Sequence, residues 1–357
     1  MLGTMLKTLG SDALTFDYSG VYNGLSEEVL ERLRALGVDA ADANSLSKLS
    51  FENVMGQMTA IAGESLQTPF KSLLTVTAAL ILCAMLSAYQ NSLSGDISAA
   101  VQTVASLCVA CAVAVPAVGF IGGIGGVIST TANLFLAYVP IVAVMMATAG
   151  KGVSAASYQT SMLAVGQGVT RVFADVLLPL MNVFLGLSIT AGISPEVRLK
   201  SLTAMLAKAA KWVLAFVMSV FTAVLSVRGA AAGAVDSVAS RTARFALSSF
   251  VPVVGGALSE AYQSVKGSIH LLKSGLGIFV ILAIILTFLP VILQAMGWSL
   301  CLAVGRTLAE TMGVDGCAGI LESLNAVFST LLAMALCVAA VFVIATAAAF
   351  TVGSDGA

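Results

Sequence analysis

The sequence predicts an all-α fold: a polytopic α-helical integral membrane protein with about five to seven crossings plus re-entrant or interfacial helices. Three observations lead there. Of 357 residues, 59% are hydrophobic and only 10% are charged, against roughly 25% charged in a soluble domain. Mean hydropathy is +1.01. Long charge-free runs recur along the chain, and about 20 apolar residues are enough to cross a bilayer as a helix. So few charges cannot cover a water-facing surface, and hydrocarbon is the main solvent. The formal net charge of −1 gives no basic field for nucleic acid, so none is expected as a partner.

The first 70 residues differ from the rest. They hold nine acids and four bases and read as a water-exposed, mainly helical amino-terminal region, with a polytopic domain over 71–354. Ser26 is a plausible N-cap for a helix with Glu27 and Glu28 in its first turn. Leu25, Val29, Leu33 and Leu36 follow at helical spacing, and Gly37 can end the helix. The stretch at Met1 is too short, and too interrupted by Lys7 and Asp12, to read as a signal peptide.

From residue 72 charge disappears. Run 72–95 suits one span. Run 97–150 is long enough for two, with Gly122, Gly123, Gly125 and Gly126 as their expected joint. Runs 176–195, 212–227, 274–305 and 323–354 follow. The run 274–305 is the clearest, with fourteen Leu, Ile, Val or Phe residues between Leu276 and Leu293. Pro290 is tolerated where neighbouring helices satisfy its freed carbonyl. Run 212–227 reaches roughly 24 Å at about 1.5 Å per residue, short of a core about 30 Å thick. It either spans by snorkelling or pairs with 176–195 as a re-entrant hairpin.

Nine of the seventeen Lys and Arg residues lie in 196–211 and 228–273. The positive-inside tendency places 228–273 in the cytoplasm and the acidic 306–322 outside. Counting back puts 1–70 outside. The basic 196–211 then falls on the wrong side unless 176–195 and 212–227 form the re-entrant pair.

Three groups of side chains are candidate sites. The first is an interfacial helix over 197–211. Leu199, Leu202, Met205, Leu206 and Ala209 share its apolar face, and Lys200, Lys208 and Lys211 lie opposite, with Arg198 snorkelling. The second is an intramembrane pair, Arg171 and Asp175, four residues apart and able to join on one helix face. Gly119/Gly123 and Gly122/Gly126 form a third pattern, small residues that allow close helix approach. Cys108 and Cys111 form an isolated C-x-x-C, and no metal or other cofactor is expected, because structural zinc needs four clustered ligands. A single histidine, His270, provides no nucleophile–base–acid set, so enzyme activity is not expected.

One stretch goes beyond composition. Arg228-Gly-Ala-Ala-Ala-Gly-Ala-Val-Asp236 and Arg241-Thr-Ala-Arg-Phe-Ala-Leu lead into Phe250-Val-Pro-Val-Val-Gly-Gly-Ala-Leu-Ser-Glu-Ala261. Together with Gly192-Ile-Ser-Pro-Glu-Val-Arg-Leu and the apolar run ending near Pro290, it resembles the stage III sporulation protein AE family of endospore-forming bacteria, over about residues 60–350. The resemblance implies a membrane subunit of a sporulation-specific, secretion-like channel complex between mother cell and forespore, required for late forespore development. It further implies a multi-pass protein of the mother-cell membrane around the forespore. Its implied partners are the bilayer and the other subunits: an ATPase-like subunit, ring-forming subunits and a forespore docking protein. Within the block, Pro252 removes a donor and Gly255-Gly256 permits tight approach. Phe250, Pro252, Gly255, Gly256 and Glu260 are therefore expected at an elbow near a pore or subunit contact. The competing reading is a stand-alone secondary transporter or permease with its substrate site near Arg171 and Asp175.

Overall fold

A computed structural model of the chain describes residues 18–39, 50–90, 95–193, 200–250 and 255–354. The described residues contain no strand. Two short helices, α1 (Ser19–Asn23) and α2 (Glu27–Ala35), precede long ones: α3 (Phe51–Gln90), α4 (Gly95–Thr148), α5 (Gly152–Arg171), α6 (Leu178–Ile193), α7 (Lys200–Phe250), α8 (Gly255–Thr311) and α9 (Asp315–Ser354). A π-helical turn, Val172–Leu177, joins α5 to α6 without a break. Six helical stretches are long and apolar enough to cross a membrane: Glu52–Met85, Ser106–Thr148, Gly152–Ala191, Ser201–Ser226, Gly275–Thr311 and Asp315–Ala348. Their number lies within the expected five to seven.

The joint expected at the glycine cluster is not there. Helix α4 runs 54 residues straight through 122–126, about 80 Å at 1.5 Å per residue. Backbone that left a helix at membrane depth would lose hydrogen bonds that lipid cannot replace, so glycines that break helices in water stay inside one here. The re-entrant pair is also absent. Residues 176–193 continue α5, and 212–227 lie within the 51-residue α7. One span fewer in 97–150 changes the parity. If each candidate stretch crosses once, four lie between the amino-terminal region and 228–273, which puts the two on the same side, whereas the charge count places them on opposite sides. The division read at residue 70 falls inside α3.

Close contacts explain the packing. Helices α8 and α9 form an antiparallel pair through a turn at 312–314, where Gly313 takes φ +71°; α4 and α5 do the same through Gly150 at φ +81°. Only glycine adopts such angles without strain. The α8–α9 pair makes the most extensive contact in the bundle. It is pinned by a hydrogen bond from Ser299 Oγ to Asn325 Oδ1 (2.8 Å) and by Arg306, which reaches Glu310 (2.8 Å) and Glu322 (3.4 Å). At its centre Trp298, Phe328 and Phe120 stack in series from α8 through α9 to α4, with ring centroids 4.9 and 5.6 Å apart. A Cβ on Gly297 would lie 2.6 Å from Leu66 Cδ2, so α3 rests on α8 at a bare glycine.

The amino-terminal helices behave as the sequence predicts and then dock. The Ser26 hydroxyl accepts from the Val29 amide (3.4 Å), Gly37 takes φ +72° just past α2, and Leu25, Val29, Leu33 and Leu36 are buried. That face packs on the bundle rather than standing apart from it. Tyr22 meets Phe279 of α8 edge-on at 5.8 Å. Arg32, with its side chain 11% exposed, pairs with Glu28 and reaches Glu64 of α3 (3.1 Å). Burial in this joint also pushes the Tyr18 phenol above its ordinary range.

Candidate functional site

A polar concavity within the spans lies between α4 and α5. Ser129 and Asn133 are four residues apart on α4; Gln167, Thr170 and Arg171 follow at helical spacing on α5. These five line a cleft of about 190 Å³ together with Ala132, Phe135, Leu136, Leu163 and Gly166. Gly166 is what lets the helices close below it, because a Cβ there would lie 3.0 Å from Phe135 Cδ1. The Thr170 hydroxyl is already committed to the Gly166 carbonyl (2.7 Å). Ser129, Asn133, Gln167 and Arg171 make no hydrogen bond or ion pair with the described residues, and all four are exposed at the cleft mouth.

The expected Arg171–Asp175 pair does not form. Both side chains are exposed, and among the described ion pairs neither takes part. A π turn begins immediately after Arg171. Pro179 supplies the reason for the turn, since it cannot donate to the carbonyl four residues back and its ring crowds that carbonyl. Both charges sit on the outside of the bundle, not along an interior path.

Residues 200–211 are the opening turns of a long helix, not a separate one. Of the expected apolar face, Leu202, Met205 and Ala209 are exposed and Leu206 is half-buried, while Thr203, Ala210, Leu214, Val217 and Phe221 face the bundle. In lipid a leucine is as well solvated outside as inside, so apolar character alone does not decide which face meets the bundle. Lys208 and Lys211 are exposed, as predicted, beside Trp212, which is 68% exposed and stacks on Phe216 (5.8 Å, 12°). Basic residues next to an exposed aromatic pair are the arrangement of a membrane–water boundary. Arg198 and the side chain of Lys200 lie outside the described residues.

The elbow residues fall largely outside as well. Helix α7 ends at Phe250 and α8 begins at Gly255, so Gly255, Gly256 and Glu260 belong to the first turns of α8. Pro252 lies outside the described residues, as do the side chains of Phe250 and Glu260. Of the paired glycines on α4, Gly119, Gly122, Gly123 and Gly126 have nothing within 4 Å of where a Cβ would stand. Their open face packs against none of the described residues. Among the described residues no group of His, Cys, Asp or Glu has a metal-binding arrangement.

Sequence reasoning missed one contact that bears on the cleft. A Cβ on Gly24 would lie 2.8 Å from the Leu134 Cα and 3.3 Å from the Asn133 carbonyl carbon, and one on Gly20 would lie 3.5 Å from the Ala137 Cβ. The amino-terminal helices thus seat on the same turns of α4 that build the cleft. The signal was available, because Gly20 and Gly24 are four apart, the spacing of close helix contacts.

Comparison with known proteins adds the family. The model of the family described as stage III sporulation protein AE matches residues 41–353. A relative in Bacillus subtilis (strain 168) with that name is 26% identical over 209 residues, 58% of this chain and 52% of the relative. The match therefore spans about half the length of that curated relative. No solved structure matches.

Proposed function

The chain belongs to the stage III sporulation protein AE family, and from that premise we propose that it is a membrane subunit of a sporulation-specific, secretion-like channel complex between mother cell and forespore. It sits in the mother-cell membrane around the forespore and serves late forespore development. Its partners are the other subunits of that complex, including an ATPase-like subunit, ring-forming subunits and a forespore docking protein. The observation that carries the reading is the family match over 41–353. One feature of the surface supports a subunit role: the open glycine face of α4, which suits contact with further helices.

Purification from sporulating cells tests this. The tagged chain is expected to bring down several sporulation-specific membrane proteins, and by itself to move no solute in liposomes. Solute uptake by the purified chain alone, with no co-purifying proteins, would favour the transporter reading instead. Within the proposal, 250–261 forms the elbow at a subunit contact. Replacing Gly255 and Gly256 together by valine is then expected to abolish complex assembly and spore formation while membrane insertion, read by fractionation, stays normal. Normal spore counts in that double variant would discard the elbow.

A further inference from the structure

We infer that the cleft between α4 and α5 is a binding site for a phosphate group, and that it holds the headgroup of an anionic phospholipid. The donor set is the first reason. Arg171 supplies a fixed fork of N–H groups, and Asn133, Gln167 and Ser129 add neutral donors from both helices. No acid lines the cleft; Asp175, four residues along the same helical stretch, forms no ion pair with Arg171. Guanidinium with neutral donors is the chemistry that recognises phosphate. The apolar part of the lining is the second reason. Phe135, Leu136 and Leu163 match an acyl chain, not a free ion. Position is the third. The acids Glu27 and Glu28 of α2 follow Gly24 closely, and Gly24 is seated on Asn133 and Leu134. Water must reach that level of the bundle to solvate them, while the charge-free stretch from Val176 begins just below Arg171. Arg171 therefore stands where headgroups stand, with unspent donors that hydrocarbon could not satisfy.

The test uses the full chain purified in detergent and read by native mass spectrometry. The wild-type chain is expected to retain phosphatidylglycerol well above diacylglycerol, which has the chains without the phosphate. Arg171→Gln should lower that retention about tenfold, the loss of one charge-assisted hydrogen-bonding partner. Arg171→Lys should keep part of it, and Arg306→Gln, a charge removed elsewhere, should leave it unchanged. The double variant Asn133→Ala/Gln167→Ala gives a second route should Arg171→Gln fail to fold, and is expected to weaken retention in the same direction. Equal retention by the wild-type and cleft variants would overturn the site. Displacement of the lipid by millimolar inorganic phosphate, with phosphate itself protecting the chain against heat in an Arg171-dependent way, would overturn the lipid assignment in favour of a soluble anion.

Discussion

Replacing Trp298 by alanine is expected to destabilise the bundle by about 3 kcal/mol, the lower end of the range for Trp→Ala in protein cores. Trp298 is 1% exposed and is one end of the ring series through Phe328 to Phe120 that ties α8, α9 and α4 together. The lower end applies because in lipid the lost term is not transfer from water but packing. The cavity left behind removes dispersion contacts from Phe328, and the surrounding helices relax only partly. Trp298→Phe should keep a stacked ring against Phe328 and cost about 1 kcal/mol, the loss of part of the buried volume. Unfolding of the detergent-solubilised chain in increasing dodecyl sulfate measures both. A loss below about 1 kcal/mol for the alanine variant would mean that the three rings do not hold these helices together.

Gly24→Val is expected to release the amino-terminal helices from the bundle. The glycine has ordinary helical angles, φ −78° and ψ −8°, so backbone strain is not the issue. Space is: the new Cβ would lie 2.8 Å from a backbone atom of α4, and a helix buried in a bundle cannot yield as a side-chain tip can. Overpacking of this kind costs about 1–3 kcal/mol. The cost cannot exceed what docking itself contributes, because undocking relieves it. The prediction is therefore local: faster protease cleavage within 18–39, and little change in the unfolding of the spans. Gly37→Ala, outside the contact, should strain only the turn after α2. Wild-type protection of 18–39 in the valine variant would show that the segment is held elsewhere, with Arg32 and Glu64 the next contact to examine.

The amino-terminal helix was read correctly because it obeys rules written for water. Ser26, Gly37 and the apolar positions Leu25, Val29, Leu33 and Leu36 did what capping, positive φ and amphipathic spacing require. The same reasoning fails at 122–126, where a glycine cluster expected as a joint is mid-helix, and at Arg171 and Asp175, whose four-residue spacing yields no ion pair among the described residues. The cleft is half visible: Arg171 stands out in the sequence and Gln167 lies one turn before it, but Ser129 and Asn133 come from another helix.

By itself, the sequence determined the solvent of this protein, its helical class, its approximate number of crossings and its family. Those follow from charge density and run length, which lipid enforces along the chain without reference to any neighbour. Which faces meet, where Gly20 and Gly24 seat, and which polar groups converge on one cleft were decided only in the tertiary structure. The physical reason is that lipid tails and buried side chains are nearly equivalent surroundings for a leucine, so apolar periodicity inside the bilayer does not distinguish the core from the outside; small residues and close backbone contacts do, and they show their partners only when folded.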